Sequence, residues 1–304
     1  MQPALKYLRP DVVSRLSTME LRARLVVEGF ITGLHQSPYH GFSVEFAEHR
    51  QYMPGDEIRR IDWRVYGKTD RYYVKQFEEE TNLVSYIAVD TSASMRFASD
   101  RDRTGTKRLT KLEYASYIAA ALSYLMVQQR DAVGLLRYDT EVRTVIPPHA
   151  TSQHLRRLLV ELERMEASNG TNSAAALHRL AERMNRRGLV VVLSDLFDEP
   201  AAVMSALRHF RHDHHEVIVM QVLDPLERSF AFGSDALFRD LETGEVLPSQ
   251  PYHMQRAYQQ AMAQFIERTK RECRENGIDY LLLDTGTPFD TALLNYLNKR
   301  RRMG

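Results

Sequence analysis

The sequence predicts an α/β fold: a mostly parallel sheet with helices on both faces. Two observations predict it. Short apolar runs, of which Gly188-Leu189-Val190-Val191-Val192-Leu193 is the strongest, alternate along the chain with longer segments whose apolar residues recur at helical spacing. Strands separated by helices imply βαβ crossovers, and a strand apolar throughout implies burial on both faces. The composition agrees. The chain has 304 residues, 43% hydrophobic and 27% charged, which excludes disordered, collagen-like and coiled-coil classes and leaves room for one large domain or two smaller ones.

The elements follow in order. Residues 19–34 predict an amphipathic helix, with Leu21, Leu25, Val26 and Phe30 on one face. From Gly41 to Thr81 the chain turns polar and aromatic, with a Pro54-Gly55-Asp56 turn and a period-two stretch over Tyr73–Phe77, so short strands and loops are expected. Val84–Val89 then reads as a strand and Leu112–Gln128 as a helix carrying Tyr114, Tyr117, Ile118, Ala121, Leu122 and Leu125. Asp131–Tyr138 and Val142–Ile146 are strands joined as a hairpin through Asp139-Thr140-Glu141. Helices at 151–165 and 173–186 precede the strand at 188–193. A helix at 199–211, a strand at 216–222, a long helix at 252–275, a strand at 279–283 and a helix at 289–300 complete the pattern. Residues 224–250, broken by Pro225 and Pro248, read as an irregular insertion. Two units result: an N-terminal helix and β-rich extension over 1–82, and the α/β domain over 83–304.

Charge and cysteine usage narrow the function. With 41 Lys and Arg against 40 Asp and Glu, a charge-driven nucleic-acid binder is not expected. The single cysteine, Cys273, excludes an intrachain disulfide framework and any zinc site built from several cysteines. It sits on a helix without a neighbouring motif and reads as an ordinary thiol. The longest apolar stretch, Tyr117–Val127, is interrupted by Ser123 and Tyr124 and falls short of the roughly 20 residues of a membrane span. The N-terminal residues lack the apolar core and cleavage site of a secretory signal. A cytoplasmic protein in a reducing compartment is expected.

In such sheets ligands bind beyond the carboxyl ends of the strands. Three segments lie there: Asp90-Thr91-Ser92-Ala93-Ser94 after the first strand of the domain, Asn169-Gly170-Thr171-Asn172 before a helix, and Ser194-Asp195-Leu196-Phe197-Asp198 after the strongest strand. Asp90, Ser92 and Ser94 stand at i, i+2, i+4. Thr171 adds a hydroxyl and Asp195 a second carboxylate. All five are hard oxygen donors, which suit Mg²⁺ or Mn²⁺ and disfavour zinc and copper. The competing role is plain: Ser92 and Ser94 capping the next helix, Asp195 ending a strand.

This pattern is similar to the metal-ion-dependent adhesion site (MIDAS) of von Willebrand factor A domains. The element order from about residue 83 fits that Rossmann-like fold. Tyr52-Met53-Pro54-Gly55-Asp56, Arg59, Ile61-Asp62-Trp63 and the strand Val74–Glu80 resemble a von Willebrand A-like family of unknown function associated with MoxR-type AAA+ ATPases. The resemblance spans roughly residues 30–300. It implies Ser92, Ser94 and Thr171 as direct ligands, and Asp90 and Asp195 bound directly or through water. A partner protein's Glu or Asp would fill the open position. It further implies metal-mediated protein binding rather than turnover, as adaptor for a MoxR-type ATPase acting on another protein complex.

An enzymatic alternative is a phosphatase of the haloacid dehalogenase type, with Asp90 as nucleophile and Asp195 and Asp198 holding Mg²⁺. Position 92 is Ser where those enzymes place an acid, and phosphate-binding glycine loops are absent. Weaker candidates remain. Asp100–Lys111 starts like a calcium loop but ends in Lys111 where Glu is required. His209, His212, His214 and His215 read as an exposed polar connection. Lys299–Arg302 reads as a basic helix end. Asp56, Arg59, Asp62 and Trp63 read either as a network fixing the N-terminal module or as a partner-docking surface.

Overall fold

The computed structural model describes residues 43–52, 61–80, 83–99, 108–168, 170, 173–184, 187–232, 236–241 and 244–301. The expected helix at 19–34, the Pro54-Gly55-Asp56 turn and the calcium-like loop at 100–107 lie outside them.

The N-terminal module opens with β1 (Ser43–Gln51), then α1 (Trp63–Thr69) and β2 (Tyr73–Glu80). β1 and β2 form an antiparallel two-stranded sheet, with a bulge between Phe46 and Glu48. The helix departs from the strands and loops expected here. Val65, Gly67 and the aromatic side chains give it poor intrinsic propensity. Its start is fixed instead by Asp62, whose Oδ1 accepts the backbone N–H of Arg64 at 2.9 Å and of Val65 at 3.3 Å.

The remaining elements are β3 (Val84–Asp90), α2 (Lys111–Gln128), β4 (Ala132–Tyr138), β5 (Val142–His149), α3 (Ser152–Glu163), α4 (Ser173–Arg183), β6 (Leu189–Ser194), α5 (Pro200–His212), β7 (Glu216–Leu223), α6 (Pro225–Ser229), β8 (Ala236–Arg239), β9 (Val246–Ser249), α7 (Pro251–Glu275), β10 (Asp279–Asp284) and α8 (Phe289–Arg301). Each expected strand and helix from Val84 onward is present, with ends shifted by a few residues. β5 runs on through Pro147 and Pro148, because an edge strand tolerates missing N–H donors on its open side. Residues 224–250 are more regular than expected: they hold α6 and the antiparallel pair β8–β9.

The central sheet has six strands in the order β10-β7-β6-β3-β4-β5, parallel except for the β4–β5 hairpin. Strand alternation divides the core in two. Ile87, Val89, Val191, Leu193 and Met220 face a cluster completed by α2, α3 and α8. Ala88, Val190, Val192, Val217 and Val219 face one completed by α4, α5 and α7. Period-two burial on both sides of one strand is why these runs are apolar without a break. α2 is buried around most of its circumference, between the sheet and α3 and α8. Among the described residues no helix is long and apolar enough to cross a membrane.

Backbone proximity sets the β3–β6 pairing. A Cβ on Gly188 would stand 2.2 Å from the Val84 carbonyl oxygen, so only glycine lets β6 begin this close to β3. The pairing then runs Ser85 with Leu189 through Val89 with Leu193. Asp90 and Ser194 therefore leave neighbouring parallel strands at the same level, at the carboxyl edge of the sheet.

Candidate functional site

The β3 exit is built first. Thr91 is buried, and its N–H and hydroxyl both donate to the Tyr138 carbonyl, at 2.7 and 2.9 Å, extending the pairing with β4 by one residue. Ser92 starts a 3₁₀ turn over Ala93–Arg96 but makes no side-chain capping bond to it. α2 is capped by Thr110, in a capping box with Glu113. Neither cap uses a serine of the motif. The Ser92 and Ser94 hydroxyls lie 3.1 Å apart and face each other instead.

Asp90 is fully buried. Its Oδ1 accepts the Ser92 N–H at 2.8 Å and its Oδ2 accepts the Ser194 hydroxyl at 2.6 Å. Burial, and next the Asp195 carboxylate, push its pKa up to about 7, against the hydrogen bonds from Ser194 and Ser92. The neighbouring Asp195 carboxylate thus makes Asp90 costlier to ionise.

The β6 exit holds Asp195 in place. Its carbonyl accepts Gln221 Nε2 at 2.9 Å, and Gln221 in turn accepts the Tyr280 hydroxyl at 2.6 Å. Leu196 takes a left-handed backbone, φ 61°, unusual for a bulky residue. Its N–H donates to the Ser194 hydroxyl at 2.9 Å. The Phe197 N–H donates to Asp195 Oδ1 at 3.1 Å. The other oxygen, Oδ2, accepts Lys111 Nζ at 2.7 Å.

Lys111 was not among the residues expected here. It is the first residue of α2 and has no solvent exposure. Its ammonium also donates to Glu227 Oε1 of α6, at 2.5 Å, and stands 4.8 Å from the Phe197 ring centroid. Burial pulls its pKa down, but Asp195 and Glu227 together outweigh that and raise it, so the group is a cation. Burial lifts Glu227, more than the ammonium lowers it. A cation in the first turn of a helix opposes the helix dipole, so the place of Lys111 there is unusual, but nothing local foretells its burial. Glu227 was not expected either; the capping box Asp224-Pro225-Leu226-Glu227 is the signal that could have found it. Asp224 is itself buried and accepts from Ser99, Leu226 and Thr285.

Thr171 lies outside the described residues. Its sequence neighbours are tied to the two exits: Ser168 donates through its N–H and hydroxyl to the Thr91 carbonyl, at 2.7 and 3.0 Å, and the Ser173 N–H donates to Asp198 Oδ2 at 2.7 Å. Asp198 therefore supports the start of α4.

The Ser92 and Ser94 hydroxyls are hydrogen-bonded to each other at 3.1 Å, a separation also close to the about 3.0 Å between neighbouring oxygens around an octahedral Mg²⁺ with bonds of about 2.1 Å. Each oxygen of Asp90 and Asp195 already accepts a hydrogen bond, which fits carboxylates acting through water better than as direct ligands. Among the described residues, no three or more His, Cys, Asp or Glu side chains are grouped so as to hold a metal. The set here has two carboxylates and is completed by hydroxyls.

The other candidates separate. Asp56 and Arg59 lie outside the described residues. Asp62 is buried as the α1 cap, while Trp63 is 58% exposed and contacts Tyr66 and Tyr72 edge-on. His209 Nε2 and His212 Nδ1 both approach Asp213, at 3.6 and 3.1 Å, but no group of three or more metal-ligating side chains forms among the described residues. His209 Nδ1 meets His178 Nδ1 at 3.1 Å, His212 meets Asp213, and His215 is buried with Nδ1 accepting the Gly188 N–H at 3.2 Å. That burial corrects the expected exposed connection and holds the His215 pKa low. Cys273 is buried in the core, which pushes its thiol up to about 12 and leaves it unreactive.

Comparison with known proteins places the chain. It is 29% identical over 297 residues to "Uncharacterized protein Rv1480" of Mycobacterium tuberculosis and to "Uncharacterized protein Mb1516" of Mycobacterium bovis, covering 96% of this chain and 91% of each relative. Among solved structures it is similar to the conserved hypothetical protein BatB from Bacteroides thetaiotaomicron, at TM-score 0.49 and 18% identity over 72% of this chain and 99% of that one. It is also similar to an aerotolerance-related membrane protein from Bacteroides fragilis, at TM-score 0.48 and 21% identity over 73% and 100%. The family described as "Protein of unknown function DUF58" matches residues 48–271, well over half of the chain, and the protein belongs to that family.

Proposed function

We propose that the chain is a von Willebrand A-like, metal-ion-dependent protein-binding adaptor, not an enzyme. One observation carries this reading. Two hydroxyls that no helix cap uses meet at 3.1 Å beside two buried carboxylates, at the shared carboxyl edge of β3 and β6. In this reading Ser92, Ser94 and Thr171 hold Mg²⁺ or Mn²⁺, with Asp90 and Asp195 behind them. The ion, when bound, would supply an open electrophilic position for a Glu or Asp side chain of a partner protein. The protein residues do the rest. Ser194 and the Ser92 N–H orient Asp90, and Phe197 and Lys111 orient Asp195.

The family resemblance supports a MoxR-type AAA+ ATPase as working partner on a further protein complex. The phosphatase reading is disfavoured. An aspartate nucleophile must be reachable by its substrate, whereas the Asp90 side chain is buried.

The test is thermal unfolding with Mg²⁺ or chelator. A ligand that binds only the native state stabilises by about 2.7 kcal/mol at a hundredfold excess over Kd. Wild type gains Tm in millimolar Mg²⁺, and Ser92→Ala and Asp195→Ala lose the gain. Equal metal response in all three proteins removes the site.

A further inference from the structure

The metal-site reading leaves one strong feature unused: a lysine with no solvent exposure, ion-paired at the centre of the site. Burying an ammonium costs several kcal/mol unless it is fully paired, so this one has a stated environment to explain. Its partners come from two elements. Asp195 lies at the β6 exit and Glu227 on α6, at 2.7 and 2.5 Å. Asp195 is shared, because its charge also acts on Asp90. With the carboxyls ionised, as a bound cation would hold them, Asp90, Asp195 and Glu227 set three carboxylates against one ammonium and leave two negative charges, the number that a divalent cation neutralises.

We propose that Lys111 is a resident counter-ion that sets the divalent-cation affinity of the site. It neutralises Asp195 when no metal is bound and opposes the metal's charge when one enters. Glu227 adds a negative charge on the ammonium's other side and so partly offsets it. The site is thereby kept metastable: intact without metal, and weak enough in metal affinity to respond to millimolar changes. The loaded site is neutral, so a partner carboxylate meets no net repulsion. Without the lysine the loaded site would carry a negative charge and bind metal tightly but partner poorly. This inference rests on the metal-site reading and goes further, because it makes affinity a property of α2 and α6 rather than of the ligands.

Three variants test it: Lys111→Met, which keeps chain length and removes the charge, Glu227→Gln, which is isosteric, and the double variant. Mg²⁺ and Mn²⁺ are titrated by calorimetry and by thermal shift, with circular dichroism reporting the fold. At an effective dielectric near 20, removing a unit charge a few ångströms from a divalent ion changes affinity by about tenfold or more. Lys111→Met is expected to bind at least about tenfold tighter, and Glu227→Gln several-fold weaker. The double variant should fall between the two single variants, since the field at the cation is the sum of both charges. Unchanged affinity in the variants, with a clear response in wild type, overturns the proposal and leaves the metal site standing. So does a double variant that binds as weakly as Glu227→Gln alone. No metal response in any of the proteins overturns the metal site and this proposal together. Where Lys111→Met fails to fold, Glu227→Gln decides alone: weakening supports the proposal, and unchanged or tighter binding overturns it.

Discussion

Lys111 Nζ donates to Asp195 Oδ2 at 2.7 Å, with both side chains closed off from solvent. The bond joins the first residue of α2 to the residue after β6, and so locks the helix start against the carboxyl edge of the sheet. Such a pair contributes little relative to a well-packed apolar substitute, but losing one member leaves a buried charge uncompensated.

Lys111→Ala is accordingly expected to cost about 3–5 kcal/mol of metal-free stability. Urea unfolding of wild type and variant in chelator measures it, and the slope should stay constant while the midpoint falls. A loss below about 1 kcal/mol, the range of exposed pairs, would mean that solvent reaches the ammonium.

Gly188→Ala tests the alignment of β3 with β6. The new Cβ would fall 2.2 Å from the Val84 carbonyl oxygen, which is backbone and cannot rotate aside. The strands must separate locally, at a cost of about 1–3 kcal/mol. Because the Val89–Leu193 level sets where Asp90 and Asp195 meet, the variant should also show a smaller Mg²⁺-dependent rise in Tm. A neutral substitution would show that the strands can part without cost.

How far the sequence carried this picture can be traced through single residues. The strands were legible because Val190 and Val192 face one cluster while Leu189, Val191 and Leu193 face the other, so the whole run is apolar. Asp90, Ser92, Ser94 and Asp195 were legible because loop residues after parallel strands gather at one edge. Lys111 was not. It had disqualified a calcium loop at its twelfth position, and no local pattern says that a lysine will be buried by carboxylates 84 and 116 residues away. α1 was missed because its intrinsic propensity is poor and its determinant is the Asp62 cap. His215 was missed because burial there comes from packing beside Phe210 and the Gly188 N–H, neither adjacent in sequence.

The β4–β5 hairpin carries an acid-sensitive contact. Arg143 Nε donates to both oxygens of Asp139, at 2.9 and 2.8 Å, and the Glu141 N–H donates to Oδ1 at 3.0 Å. Burial alone would raise the Asp139 pKa, but Arg143, Ser168 and Glu141 outweigh it and hold it at about 2. A carboxylate depressed in the folded state contributes stability that is present above its unfolded value, about 3.9. That contribution disappears as pH falls through about 2. Asp139→Asn should lower stability at neutral pH by about 1–3 kcal/mol, the worth of charge-assisted bonds. It should also make the loss between about pH 4 and pH 2 shallower. Parallel acid limbs for the two proteins would show that Asp139 is not the group titrating there.

The last prediction separates binding from turnover. Phosphoryl transfer to an aspartate requires in-line approach to a carboxylate oxygen, and a general acid to protonate the leaving group. Asp90 offers neither condition a partner group. Its Oδ2 is held at 2.6 Å by Ser194 and its Oδ1 at 2.8 Å by the Ser92 N–H. Residue 92 is a serine whose hydroxyl faces Ser94. The protein, supplied with Mg²⁺ or Mn²⁺, is expected to release no phosphate from p-nitrophenyl phosphate or ATP above the level of an Asp90→Asn control. Steady release by wild type that Asp90→Asn abolishes would make Asp90 a nucleophile, and the two-carboxylate edge of β3 and β6 a catalytic centre rather than a binding one.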